Sequence, residues 1–400
     1  MLKRLYIINQ HYYPELASTG QVFQEIAEHY AKSGYEVKVI AGRAFYHEGE
    51  KLEDFPETLN GVSILRLWNT SFKKSSLPGK MFNLLTFQLS LALYALFFIP
   101  RNSFVMVGTN PPLALLSLLP ARFVKRFKLV SVVQDLYPDI LLCSGHVKEE
   151  SFLFRFLSGI MKKAFGKCNH IVTISEDMRN HMEKVYGCKR LKVITNMVIG
   201  DIRPLNNERV ADSQACSRGL LVMYSGNFGI AHEYETLLET VRLLQNNEAI
   251  RFKITGGGIH YYELKKVCET ERLNNISFFP YAGKEELNKS LNEADIHLVI
   301  FDNNYKNVLM PSKYYGVLAC GKPVILIASG ENDISRDIDA YLIGHRVENH
   351  EASRLKDILI ELSKDKGRIE AMGKKAYVLY NEKYERKIVL DKYVNLLESL

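Results

Sequence analysis

Short apolar runs rich in Val and Ile, with no polar residue at alternate positions, recur along this chain and decide what it can fold into. In the first half they are LYIINQ (5–10), VKVIAG (37–42), VSILRLW (62–68), FVMVGTN (104–110), KLVSVVQD (128–135), HIVTIS (170–175) and LKVITN (191–196). Unbroken β-branched runs of this kind are strands buried on both faces, which means parallel strands with helices between them. The pattern pauses across residues 199–219, a polar stretch carrying Pro, Asn and Ser that reads as a linker. It resumes with LLVMYSG (220–226), IRFKITGGG (250–258), ISFFPY (276–281), DIHLVIF (295–301) and PVILIAS (323–329).

Two βαβ series of similar length predict an α/β fold of two Rossmann-like, doubly wound domains facing across a cleft. The expected division is 1–198, the linker 199–219, a second domain over 220–380, and a terminal helix over 381–400 that returns to the first domain. The first helix is expected to open at Ser18, with Gln21 at capping-box spacing and Gly34 as its left-handed stop.

The 400 residues are too many for one core, since single cores stop growing at about 250–300 residues. Six scattered cysteines, without a C-x-x-C pair, fit a reducing compartment rather than a zinc site or a disulfide framework. The sequence MLKRLYIINQ enters a strand directly and lacks a signal-peptide pattern, so a cytoplasmic location is expected. Residues 1–200 hold 25 Lys and Arg against 16 Asp and Glu, whereas residues 201–400 hold 27 against 29. The basic first half calls for an anionic partner surface. Nothing resembles a nucleic-acid reader, so an anionic membrane leaflet is the expected partner.

Residues 81–99, MFNLLTFQLSLALYALFFI, carry no charge and are long enough to span a bilayer. Asn83, Thr86, Gln88 and Ser90 interrupt them, and they lie between strands of one sheet, so a buried crossover helix or an interfacial helix is expected instead. Lys73, Lys74, Lys80 and Arg101 flank the segment, and Arg122, Lys125, Arg126 and Lys128 follow. A peripheral protein holds an anionic leaflet in this way.

In open α/β sheets ligands bind beyond the carboxyl ends of the strands. The turn YSGNFG (224–229) precedes a helix expected near His232, whose N-terminus would offer N–H groups to a phosphate; a tight turn needing glycine is the alternative reading of Gly226 and Gly229. TGGGIHYYEL (255–264) exposes main chain to a base or phosphate but fails G-x-G-x-x-G at Tyr261, which counts against a nicotinamide enzyme. In NVLMPSKYYGVLACGKPVI (307–325), Pro311 suits a first helical turn. Ser312 and Lys313 sit beside it, a hydroxyl and a cation suited to a diphosphate. In the first domain, NQHYYPELASTG (9–20) supplies polar groups for a hydroxylated acceptor, and VQDLYPDIL (133–141) ends a strand with Asp135 and Asp139, where a carboxylate can act as a base or orient the acceptor hydroxyl; for Asp139 a turn or helix cap after Pro138 is the alternative. Asp337-Ile338-Asp339 is a D-x-D string in a helical stretch, expected on solvated helix surface.

The succession HYYPELASTG, VQDLYPD, VTISEDM, YSGNFGIAHEYETLL, ITGGG and LMPSKYYGVLACGKPVI, in order along nearly the whole chain, resembles the family-4 glycosyltransferases of the GT-B fold. Within them it is similar to the branch of colanic-acid, capsule and O-antigen (fucosamine-transferase-like) enzymes. The resemblance implies a retaining transfer from a nucleoside-diphosphate sugar, usually a UDP-sugar, without a metal or other cofactor. The acceptor would be a saccharide or lipid-linked saccharide at the inner face of a bacterial membrane. It implies that Gly226 and Asn227 touch the diphosphate, that Gly256, Gly257, Gly258, Phe279 and Tyr281 border the base, and that Ser312, Lys313 and Tyr314 border diphosphate and sugar. His11, Glu15, Gly20 and Asp135 would line the acceptor side, with Asp135 and Lys313 as the catalytic pair.

The chain departs from the family at the E-x7-E pair, where Val308 and Gly316 stand, and at the first-domain histidine, which falls near Gln134 or Asp135. A UDP-sugar epimerase of the same architecture and a non-catalytic membrane scaffold with a degenerate site are therefore alternatives.

Overall fold

The computed structural model describes residues 3–15, 18–43, 56–72, 77–205 and 219–400. The chain divides into two compact units, Met1–Thr195 with Lys387–Leu400, and Asn196–Arg386. Residues 201–205 of the expected linker are held by the second unit. The Arg203 and Leu205 N–H groups donate to the Asn288 and Asn292 side chains at 3.1 and 3.0 Å. Residues 206–218 lie outside the described residues.

Unit 1 is built on β1 (Arg4–Ile8), β2 (Glu36–Gly42), β3 (Thr58–Leu59), β4 (Val62–Leu67), β5 (Phe104–Gly108), β6 (Lys128–Val133), β7 (His170–Thr173) and β8 (Leu191–Val193). Their order is β3-β4-β2-β1-β5-β6-β7-β8, parallel throughout except for β3. Leu5, Ile7, Ile8, Val105, Met106, Val107, Leu129 and Val130 are fully buried, as uninterrupted apolar strands require. The helices are α1 (Ser18–Lys32), α2 (Leu77–Phe98), α3 (Ala114–Lys125), α4 (Asp139–Cys143), α5 (Phe152–Phe165) and α6 (Glu176–Tyr186). Ser18 is the first residue of α1, and residues 16–17, where its cap would fall, lie outside the described residues. Gly34 ends it at φ +86°.

Unit 2 carries β9 (Leu220–Asn227), β10 (Ile250–Gly257), β11 (Ile276–Phe279), β12 (Ile296–Ile300), β13 (Val324–Ile327) and β14 (Gly344–Val347), all parallel in the order β11-β10-β9-β12-β13-β14. Its helices are α7 (Glu235–Leu243), α8 (Ile259–Thr270), α9 (Leu287–Asn292), α10 (Lys313–Ala319), α11 (Asp333–Tyr341), α12 (Ala352–Ser363) and α13 (Lys366–Leu379). The terminal α14 (Arg386–Glu398) lies almost wholly in unit 1. Tyr30 on α1 donates its hydroxyl to the Tyr393 carbonyl, and the His29 ring pairs with Asp391 at 2.9 Å.

In each sheet the chain winds outward, returns, and winds the other way. The reversals fall between β1 and β5 and between β9 and β12. At such switch points the loops part and a crevice opens beyond the strand ends.

Two expectations are corrected. Asp337 is not on solvated helix surface. It is buried and accepts hydrogen bonds from Tyr314 at 2.9 Å, Lys383 at 2.8 Å and Tyr384, whereas Asp339 pairs with Arg346 at 3.0 Å on the surface. The sequence pattern could not show this, because the donors come from up to 47 residues away. The segment 81–99 does form a crossover helix, but a one-sided one, with its outer apolar face left in solvent.

Asp337→Ala leaves two buried phenols without their acceptor. The expected cost is about 3–5 kcal/mol in urea unfolding of the full chain, whereas Asp339→Ala, which breaks a surface pair, should cost under about 1 kcal/mol.

Candidate functional site

The carboxyl end of β9 is shaped by glycines. Gly226 (φ +134°) pairs with Gly256 (φ +142°) across β9 and β10, and a Cβ on Gly256 would lie 2.0 Å from the Gly226 carbonyl oxygen. Neither position accepts a side chain, so the two strands stay paired as far as Asn227 and Gly257. The Phe228 N–H then donates to the Gly257 carbonyl at 2.7 Å, and a Cβ on Gly258 would strike Asn227 Oδ1 and the Phe228 carbonyl at 2.6 Å. The three glycines expected beside a base are thus also required for strand-to-turn packing.

Lys313, the first residue of α10, places its ammonium over this turn. Nζ donates to the Tyr224 hydroxyl, to His232 Nε2 at 3.0 Å and to the Asn227 carbonyl at 3.5 Å. Its methylene stem passes where a Gly226 side chain would otherwise stand, with Cε 3.4 Å from that point. The Tyr224 hydroxyl donates onward to the Asn227 carbonyl at 2.8 Å. His232 Nδ1 faces the Gly229 carbonyl at 3.1 Å; a carbonyl only accepts, so Nδ1 carries the proton and Nε2 offers a lone pair to Lys313.

Among the described residues no carboxylate pairs with Lys313, so its three N–H groups are met by neutral acceptors alone. Burial holds the Lys313 ammonium well below the usual lysine range. Burial first, and the Lys313 charge second, press His232 down to about 2, so this ring stays neutral near pH 7. A cation that is partly desolvated and lacks a counter-ion is a strong site for an incoming anion.

The remaining residues sort around this centre. Ser312 is exposed at the start of α10 with no capping bond, and Pro311 precedes the helix rather than opening its first turn. Tyr281 overhangs Gly257, where a Cβ would lie 3.1 Å from its ring, and is 58% exposed. Phe279 is half exposed, with Lys253 Nζ 4.7 Å from its ring centre. Together they leave aromatic surface beside bare backbone. Tyr314 does not join them: it is fully buried, and its hydroxyl is spent on Asp337.

The helix after the first turn begins at Glu235, not near His232. Buried Glu233 accepts from the Thr236 N–H at 2.6 Å and from its hydroxyl at 2.7 Å, so this helix end is already met by a carboxylate and is a poor phosphate cradle. His232 and Tyr224 were missed as site residues; the signal was the histidine placed six residues after Gly226.

In unit 1 the switch point holds His11 and Glu15. The His11 ring meets the buried Glu15 carboxylate, and Gly20 lets α1 approach, since a Cβ there would lie 3.1 Å from the His11 carbonyl. Arg66, donating to the Gly42 carbonyl at 3.1 Å and to that of Tyr13, adds a positive charge near Glu15. Asp135 follows β6. Its N–H donates to Thr109 Oγ1 at 3.2 Å, and burial raises its carboxyl above the usual range. Asp139 serves structure instead, buried against His181 at 2.8 Å and the Tyr186 hydroxyl.

Residues 19–199 match the family described as Glycosyltransferase Family 4, and residues 208–378 match Glycosyl transferases group 1. The chain is a family-4 glycosyltransferase. This transferase is 26% identical to the glycosyltransferase WbjE of Pseudomonas aeruginosa over 75% of each chain. It is 23% identical to the colanic acid biosynthesis glycosyl transferase WcaI of Escherichia coli K12 over 83% of this chain and 85% of the relative. Among solved structures it is similar to the sucrose-phosphate synthase of Thermosynechococcus elongatus, with a TM-score of 0.76 at 14% identity over 99% and 98% of the two chains. It is likewise similar to HepE of Anabaena in complex with UDP, with a TM-score of 0.71 at 13% identity over the full length of both. The enzyme therefore has the GT-B fold.

The two aspartates of the first unit give opposite predictions. A raised folded-state carboxyl means that charging Asp135 costs stability as pH climbs from the unfolded value toward the folded one. The advantage of Asp135→Asn over the parent in thermal melts should therefore widen as the pH rises above about 4, the unfolded carboxyl value, and level off above the folded-state value. Asp139→Asn should lose about 1–3 kcal/mol, from the hydrogen bonds that its carboxylate accepts.

Proposed function

We propose that the enzyme moves a hexose or amino-hexose from a UDP-sugar to a hydroxyl of a saccharide or lipid-linked saccharide, with the anomeric configuration retained, in bacterial surface polysaccharide synthesis. The observation carrying the donor half is the Lys313 ammonium, held over Gly226 and Asn227 by three neutral acceptors and, among the described residues, no carboxylate. A diphosphate supplies the missing charge. The likeness to the glycosyltransferases WbjE and WcaI, and to HepE in its UDP and UDP-glucose complexes, supports the class of reaction and donor.

In this reading the diphosphate lies along Gly226 and Asn227, with Ser312 as a further donor, and the base rests against Gly256 to Gly258 beside Phe279 and Tyr281. Lys313 stabilises charge as the C1–O bond to the diphosphate breaks. That cationic support is why no metal or other cofactor is proposed. The acceptor hydroxyl attacks on the face that the diphosphate leaves, and its proton passes to the departing phosphate oxygen. Asp135, with a raised carboxyl, and the His11–Glu15 pair orient the acceptor hydroxyls on unit 1. The location proposed is the cytoplasmic face of the cell membrane.

Lys313→Ala should lower kcat/KM by about tenfold to a thousandfold, with a smaller loss in Lys313→Arg, measured with UDP-sugar and acceptor in steady state. Near-parental turnover in the alanine variant would remove Lys313 from the mechanism. With UDP-sugar alone, product analysis should show neither epimer nor rapid hydrolysis.

A further inference from the structure

The outer face of α2 inverts the usual amphipathic rule. Its polar side chains point into the protein. Asn83 accepts from the Thr70 hydroxyl at 2.8 Å and the Phe72 N–H at 2.9 Å, Gln88 donates to the Pro112 carbonyl at 2.7 Å, and Ser90 donates to the Trp68 carbonyl at 2.7 Å. Phe87, Leu91 and Ala95 fill the inner stripe. The outer stripe Met81, Leu85, Leu89, Leu93 and Phe97, at four-residue spacing, is 50–66% exposed. Only 22% of the helix's most apolar window is buried, too little for a core helix. Trp68 (58% exposed) and Phe72, whose ring packs on Phe82, extend the patch at one end.

Topology widens this face. The crossovers β4–α2–β5, β5–α3–β6 and β6–α5–β7 all step in the same direction along the sheet, so right-handed connections place α2, α3 and α5 on one side. The helices pack in that sequence. Phe123 on α3 is 87% exposed, and Phe152 and Phe156 on α5 stack at 5.8 Å between centroids while remaining open to solvent. These three helices contain six Lys and Arg (Lys80, Arg122, Lys125, Arg155, Lys162, Lys163) and no Asp or Glu. The opposite side of the sheet carries α1, with Glu25 and Glu28, and is bound to the chain's own α14 through Tyr30 and His29. One side of unit 1 therefore has its partner within the chain. On the other, α2, α3 and α5 present an apolar, aromatic and basic surface, while α6, which the same step of the sheet places beside α5, carries Glu176, Asp177 and Glu183. Lys73 and Lys74 lie outside the described residues and are not needed for this balance.

We propose that the α2–α3–α5 face of unit 1 docks on an anionic lipid bilayer, with α2 lying in the plane of the interface rather than crossing it. The polar ties of α2 to Trp68, Thr70, Phe72 and Pro112 hold the helix against its own sheet, so inserting the outer stripe to the depth of one side chain requires no rearrangement. The basic side chains around the stripe meet lipid phosphates, and Trp68 reaches the headgroup level, where indoles settle. This deepens the membrane-face location proposed above but does not depend on the donor assignment.

Trp68 is the only tryptophan in the chain and reports directly on the face. Full-length protein is mixed, without nucleotide or acceptor, with vesicles of phosphatidylglycerol and phosphatidylethanolamine or of phosphatidylcholine alone. With the anionic vesicles, Trp68 emission should shift to the blue and be quenched by lipids brominated near the top of the acyl chain more than by those brominated at its end. Raising the salt should weaken binding. The double variant Leu89→Glu/Phe97→Glu should partition about tenfold or more weakly while keeping the parental melting temperature and nucleotide binding. No blue shift with either vesicle would overturn the proposal. So would equal binding to both vesicle types, strongest quenching from the bilayer centre, or a lipid-free dimer in ultracentrifugation that protects Trp68.

Discussion

The close approach of Gly226 to Gly256 is the constraint on which the second unit's site depends. Because neither residue has a side chain and both take positive φ, β9 and β10 remain paired to their last residues and deliver the Asn227 carbonyl to a fixed point above the sheet. That carbonyl, the Tyr224 hydroxyl bonded to it, and His232 Nε2 form an acceptor cluster that holds an ammonium. Lys313 arrives there from the loop after β12, across the reversal of the sheet. A side chain on Gly256 would run into the Gly226 carbonyl and push the strands apart, and one on Gly226 would strain the backbone at positive φ and crowd the Lys313 stem.

The strands were legible because parallel strands buried on both faces cannot hide: each apolar run marked above contains one. The two unmarked strands explain themselves. β14, with the sequence GHRV, sits at the sheet edge and needs no apolar face on both sides, and β3 is a two-residue antiparallel addition to β4. The glycines and Lys313 could be picked out as candidates because their types are unusual where they stand. What sequence could not show were the partners. His232 and Lys313 are 81 residues apart, Asp337 and Tyr384 are 47 apart, and Asp139 and Tyr186 also 47. Tyr314 was misplaced for the same reason: a tyrosine beside a site lysine reads as a ligand contact until its buried acceptor is seen.

Helix α2 shows a different limit. Its composition was plain, but composition says nothing of direction. Four polar side chains on a hydrophobic helix look like interruptions of a membrane span, and in the fold they are its fastenings to the segments after β4 and β5. With the polar groups satisfied inward beside Phe87, Leu91 and Ala95, the remaining apolar residues Met81, Leu85, Leu89, Leu93 and Phe97 face out. The first unit thus offers a broad apolar and basic side, while its other side is closed by α14. In the proposed reading, donor chemistry on one unit and a membrane-docking face on the other divide the work of recognising a soluble nucleotide sugar and an acceptor held at a surface.

The central claim is that Lys313 is a partly buried cation with no counter-ion among the described residues until a diphosphate arrives. Its pKa, followed through the side-chain 15Nζ or 13Cε resonance of specifically labelled protein, tests this most directly. The account predicts a value well below that of an ordinary lysine in the free protein and a clear rise when UDP is added without metal, as the ammonium gains its missing anion. An ordinary lysine value in the free protein that does not move on saturation with UDP would contradict it.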